Sequence, residues 1–166
     1  GMVECGALVS GPHGWHIDPL AMADVSSSDR AASFLTHRLT LLPAATVQLL
    51  STGAVLGKDF ELDIAAHLAQ QSPLQAIAAI DEARQRRLVW LRPDGSRCVF
   101  VHDKIRAALL EQMTAAQRQT LHREAATYLQ RHAPQRVSDL AYHFDAAGDS
   151  RSALPYALQA AEQART

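Results

Sequence analysis

Cysteine is nearly missing from this chain: only Cys5 and Cys98 occur in 166 residues, far apart and outside any CxxC pair. Neither a zinc site nor a disulfide framework is indicated, and a reducing, cytoplasmic setting is the expectation. No apolar run approaches the roughly 20 residues that span a bilayer, and no charged stretch followed by an apolar one opens the chain, so no membrane partner is expected. No GxxxxGK[ST] segment occurs. Without that loop there is no backbone cradle for phosphates, no lysine for the β/γ-phosphates and no hydroxyl for magnesium, so the segment by itself is expected not to be an enzyme. Excess charge is missing too. Lysines and arginines number 16 against 17 acids, a formal net charge of −1, and strong attraction to nucleic acid or anionic lipid is not expected. Aromatics make up 5% of the residues while alanine is abundant, which favours close-packed helices over sheets.

The length suits one domain or two small units sharing an interface. Apolar residues make up 48% and charged ones 20% of the chain, the balance of a globular protein. Gly1 ahead of Met2 reads as a remnant of cloning, and the chain is expected to be part of a longer protein.

Two short apolar stretches around Gly11, Pro12 and Gly14 predict a β-hairpin. Ser26 to Asp29 offer helix caps, and Ala31, Ala32, Leu35, Leu39 and Leu42 recur at helical spacing up to Pro43, which cannot continue the helix. Pro43 suits the first turn of the next helix, with Val47, Leu50 and Ala54 inward and a stop at Gly57. LDIAAHLAQ predicts a second helix after Asp59 and Phe60. Ser72, Pro73 and Gln75 form a capping box for a third, with Leu74, Ile77, Ile80 and Ala83 inward. Leu88–Leu91 and Cys98–Val101 read as strands joined by the turn residues Pro93, Asp94, Gly95 and Ser96. Three helices followed by a β-hairpin is the order of a winged helix.

Beyond Asp103 the pattern is helical throughout. Ile105, Leu109 and Met113 share one face. Thr114 and Gln117 make a second capping box for a helix carrying Leu121, Ala125, Tyr128 and Leu129 to about His132, before Pro134. The alanine-rich end, from Leu140 to Ala164, predicts two helices hinged at Gly148 and Asp149. The fold class expected is mainly α: an N-terminal hairpin and helix over 1–42, a winged-helix-like domain over 43–113, and over 114–166 antiparallel helical hairpins of tetratricopeptide-like type, the start of a repeat array.

Chemistry-bearing candidates are few. His102 and Asp103 stand where the second strand meets a helix. Asp103 is expected to cap that helix by accepting from the amides of Ile105 or Arg106, and His102 is either a local hydrogen-bonding residue or a phosphate ligand beside free amides. Arg84, Arg86, Arg87, Arg92 and Arg97 form a possible basic contact surface, through which a winged helix could meet DNA or an acidic protein, although Asp81 and Glu82 would repel phosphates. His13 and His16, with Asp18, read as surface loop rather than metal site. His122, His132 and His143 fall on different helices with no shared spacing. Ser26, Ser27 and Ser28 lack the glycines of a nucleophile elbow.

In order and spacing, Trp15 to Asp18 (WHID), Leu39 to Pro43 (LTLLP), Ala54 to Phe60 (AVLGKDF), Ala83 to Val89, Phe100 to Arg106 (FVHDKIR) and Leu121 with His122 together resemble the region after the nucleotide-binding core of STAND-class signal-transduction ATPases. The likeness is to the bacterial ATPase module of multidomain kinases and other regulators. The resemblance implies that 1–42 is the remnant of an ATPase lid, followed by a winged helix packed on a P-loop core and then by a repeat array. It also implies a hydrophobic–His–Asp motif, here Val101, His102 and Asp103, whose histidine senses the β-phosphate; valine stands where the motif has methionine. ATP or ADP with Mg would belong to the parent protein and no cofactor to this segment. The partners implied are the parent's own P-loop domain, further helical repeats and other proteins. The alternative reading is a winged-helix transcription regulator.

Overall fold

The computed structural model describes residues 8–11, 14–17 and 37–165. The expected cap at Ser26–Asp29, the helical positions Ala31, Ala32 and Leu35, and Cys5, His13 and Asp18 lie outside them. The chain divides between Leu41 and Leu42 into two compact units. In the first, β1 (Leu8–Gly11) pairs antiparallel with β2 (Gly14–Ile17), Gly11 opposite Gly14. Residues 37–40 are helical.

The second unit is mainly helical, and it contains the expected boundary at 113/114. Helix α1 (Ala44–Leu56) follows Pro43, which is the cap residue rather than the first helical one. It is the central element: α2 (Leu62–Leu68), α3 (Pro73–Gln85), α4 (Asp103–Glu111) and α5 (Ala115–His132) all pack on it. Its Leu49, Leu50, Ala54 and Val55 are buried, and Val47 is half-buried. Both predicted capping boxes are present, Ser72 with Gln75 on α3 and Thr114 with Gln117 on α5.

A small sheet closes the unit in the order β3-β5-β4, all antiparallel: β3 (Asp59–Glu61), β5 (Arg97–Phe100) and β4 (Val89–Leu91). The β4–β5 hairpin forms where predicted, with each strand shifted by a residue: Leu88 lies just before β4, Arg97 opens β5 and Val101 falls just past it. Strand β3 was not legible in the sequence. Three residues between a glycine turn and a helix carry no period, and only pairing with β5 makes Asp-Phe-Glu extended. It puts Phe60 against Phe100, ring centroids 5.3 Å apart, where each buried ring stabilises by about 2–3 kcal/mol. The expected face of α3 also needs correction. Ala76, Ala79, Ile80 and Ala83 point inward, while Leu74 is 80% and Ile77 52% exposed. Alanines allow α3 to lie close on α1, and the bulkier residues are left on the outside.

After α5 come α6 (Val137–Ala146) and α7 (Ser150–Gln163). The turn between them is a helix-ending motif at Gly148. Its φ of +78° favours glycine, with Gly148 N donating to Asp145 O and Asp149 N to Phe144 O at 2.9 Å. Asp149 then caps α7 by accepting from Ser152 N. A second core gathers Ile64 of α2, Ala126 and Leu129 of α5, Leu140 and Phe144 of α6, and Ala153 of α7. Because α2 and α5 take part in both cores, the sheet-bearing part and the terminal helices are one packed body.

Candidate functional site

The joint between β5 and α4 is fixed by the sheet and by the end of α1. Phe100 N donates to Lys58 O and Val101 N to Leu88 O, each at 3.0 Å, so the strand end is held from two sides. His102 follows in extended conformation (φ −143°, ψ 138°) and is the cap residue of α4. Its carbonyl accepts from Ile105 N at 3.0 Å, and its imidazole is exposed. The backbone is therefore fixed while the ring faces solvent.

Asp103 does not cap the helix as expected. It is the first helical residue, no side chain caps α4, and its carboxylate lies 2.9 Å from Lys58 Nζ. A side chain already inside the first turn is poorly aimed at the following amides, and the lysine on the loop after α1 takes it instead. The hydrogen bond from Lys58, then its charge, hold the Asp103 carboxyl below its usual range. Arg106 Nε donates to Ala54 O at 2.8 Å and ties α4 to the end of α1.

The arginines expected to form a basic surface are mostly spent on carboxylates. Arg84 pairs with Asp81 at 2.9 Å and Arg86 with Glu82 at 2.6 Å along α3. Arg92 and Arg97 both bind Asp59, and Arg97 also reaches Glu61 at 2.8 Å. Glu61 in turn accepts from Arg136 at 2.7 Å, whose Nε lies 2.7 Å from Asp139. Arg87 is exposed, in the left-handed conformation that ends α3. The result is an alternating chain, Arg92–Asp59–Arg97–Glu61–Arg136–Asp139, running from the β4–β5 turn across the sheet to the start of α6. Burial alone would raise the Asp59 pKa, but hydrogen bonds from Arg97 and Arg92 outweigh it and the net shift is downward. The same bond to Asp59 leads in raising Arg97. Arg97→Ala removes the middle of the chain; urea unfolding should show a loss of about 1–2 kcal/mol, the ordinary value of charge-assisted bonds at a partly exposed site.

A second cluster escaped the sequence reading. His122 of α5 and His143 of α6 are buried with their Nδ1 atoms 2.9 Å apart. One ring must donate and the other accept, so one Nδ1 carries a proton and the other does not; burial favours the neutral form of both rings. Burial foremost, then the Arg106 and Arg118 charges, lowers the pKa of His122. Burial, with a smaller push from His122, lowers that of His143 to about 4. The signal was present, since His122 lies three before Ala125 and His143 three after Leu140, each on its helix's buried face. Spacing within one helix could not show that the two rings meet. His132 instead packs on Tyr128, which also packs on His67, with centroids 4.4 and 4.8 Å apart.

Cys98 is buried, and desolvation foremost pushes its thiol up to about 12, which leaves it inert. Among the described residues no group of three or more His, Cys, Asp or Glu could hold a metal ion, and no helix is long and apolar enough to cross a membrane. No family model, no curated protein and no solved structure matches this chain.

Proposed function

We propose that this chain is a non-catalytic regulatory and interaction segment of a larger signalling ATPase of the STAND class, coupling the nucleotide state of a P-loop core to a helical-repeat sensor. The observation that carries the reading is the joint: an exposed imidazole on a backbone held by the sheet and by the start of α4. The order α1–α3, β4, β5 supports a winged helix. The paired helices α6 and α7, joined by a tight glycine turn, support the start of a tetratricopeptide-like array in the cytoplasm.

His102 beside the first amides of α4 offers a phosphate one side-chain donor and the positive end of a helix. Lys58 offsets the adjacent Asp103 carboxylate, which would otherwise repel an anion. The nucleotide supplies the phosphate charge. The chain's own contribution is to turn a changed contact at His102 into a shift between two packing states. The ionic chain from the sheet to α6 offers a stiff path for that shift. The DNA-binding alternative draws less support, because Arg84, Arg86, Arg92 and Arg97 already meet carboxylates and α3 presents Leu74 and Ile77 outward.

The test uses the full-length parent. His102→Ala should weaken ADP binding about tenfold, the loss of one charge-assisted bond, and raise basal signalling. Unchanged values for both would remove the switch role. Salt-sensitive retention on heparin, abolished by replacing Arg86 and Arg87, would favour the DNA reading instead.

A further inference from the structure

Helix α7 carries an apolar face that nothing in the second unit covers. At 3.6 residues per turn, Ala153, Tyr156 and Ala160 share the side packed on α6; Ala153 is buried and the other two are half-buried. Leu154 and Leu158 lie on the opposite side, each 60% exposed. With Arg151, Ala161 and Arg165 they recur at alternating steps of three and four, the spacing of a two-helix seam. Arg151 and Glu162 flank the leucines on the same edge, one near each end of the helix, and both are exposed.

We propose that this face binds a second copy of the chain, α7 against α7 in antiparallel orientation about a two-fold axis. The charges make the face self-complementary. An axis crossing at the level of Tyr156 sets Leu154 opposite the partner's Leu158 and, by symmetry, Leu158 opposite the partner's Leu154. The same operation keeps each flanking edge on its own side, so Arg151 falls within one residue of the partner's Glu162, about 1.5 Å along the axis. The pair forms twice, as an isologous interface requires. A parallel arrangement would instead carry each flanking edge to the opposite side of the pair, and Arg151 would not meet the partner's Glu162. Ala157 and Ala161 are small enough to let the backbones approach. One helix face is a small interface, so association is in the micromolar range or weaker. The array proposed above would set a further repeat on this same face, so the two occupants compete, and the measurement on this chain reads the second copy alone.

Sedimentation velocity of the 166-residue chain, from about 1 µM to about 1 mM, reads the outcome. The expected result is a rise from 18.1 kDa to twice that mass with concentration. Leu158→Glu should hold the chain at the monomer mass with its circular dichroism unchanged, since the side chain supports no core. Arg151→Glu and Glu162→Arg should each weaken dimerisation severalfold, and the double variant should restore it. A monomer at every concentration overturns the proposal, as does a dimer indifferent to Leu158→Glu or one that the double charge swap does not recover.

Discussion

Gly53→Ala should lower the stability of the second unit by about 1–2 kcal/mol, and Gly53→Val by about 3 kcal/mol or more, although alanine is the better helix former. In an unobstructed helix that exchange gains up to about 1 kcal/mol. Here a Cβ at position 53 would stand 2.6–2.8 Å from three ring atoms of Phe60. The ring cannot move aside cheaply, being 1% exposed and packed on Phe100, and overpacking at such a place costs about 1–3 kcal/mol. Thermal unfolding should therefore show a midpoint about 5 °C lower for the alanine variant. Adding Phe60→Leu, which removes the ring edge, should make the pair less harmful than the sum of the single changes. A neutral or stabilising Gly53→Ala would mean that α1 and β3 do not approach as described.

Acid should weaken the fold through His122 and His143 before it reaches the aspartates that ion pairs and caps hold low. His122 and His143 have folded pKa values below their ordinary 6.5, so the folded state favours their neutral forms. Above pH 6.5 both states are neutral there and nothing is lost. As pH falls through 6.5 the unfolded chain takes up protons first, and stability drops until the folded-state value is reached, about 4 for His143. The full span for His143 is on the order of 3 kcal/mol, and His122 adds in the same direction. The groups facing the pair are Arg106 and Arg118 on the His122 side, Arg136 and Asp139 on the His143 side, and the Tyr142 ring, 5.5 and 5.1 Å from the two imidazoles. Only Asp139 favours a proton there. Asp59, Asp103 and Asp149 have pKa values below 3.8, so what they contribute persists above 3.8 and is lost below it. The interval from pH 6.5 to 4.5 lies within the range of the buried pair and above those aspartates. The urea midpoint should fall steadily across it, and His143→Leu, less stable at neutral pH because His122 loses its partner, should show a much shallower fall. A flat wild-type profile would contradict the buried neutral pair.

Much of this was legible in the sequence because it rests on local rules. Ser72 with Gln75, Thr114 with Gln117, the stop at Gly57 and the hinge at Gly148 follow from which residues satisfy helix ends. What the sequence concealed depends on partners distant along the chain. Strand β3 exists through β5, some 38 residues later, and the inward face of α3 is set by how closely alanine lets it lie on α1. Arg92 and Arg97 look like a cationic wing until Asp59 and Glu61 are brought beside them. Asp103 reads as a cap because its neighbours in sequence are helical, but Lys58 lies closer in space. The two histidines were each on a buried face, and only the packing of α5 on α6 joined them.

The sheet bearing the joint and the helices α6 and α7 pack as one body, linked by shared cores and by the chain through Glu61 and Arg136. Native-state hydrogen exchange on the 166-residue chain tests this most directly. Amides of Cys98 and Phe100 in the sheet and of Phe144 in α6 should open with the same free energy, close to that of global unfolding. Glu61→Gln, which weakens the link at its midpoint, should let α6 and α7 exchange at lower free energy than the sheet. If α6 and α7 already open independently in the unaltered protein, while the sheet stays protected, the two parts are not coupled and no signal could pass between them in the manner proposed.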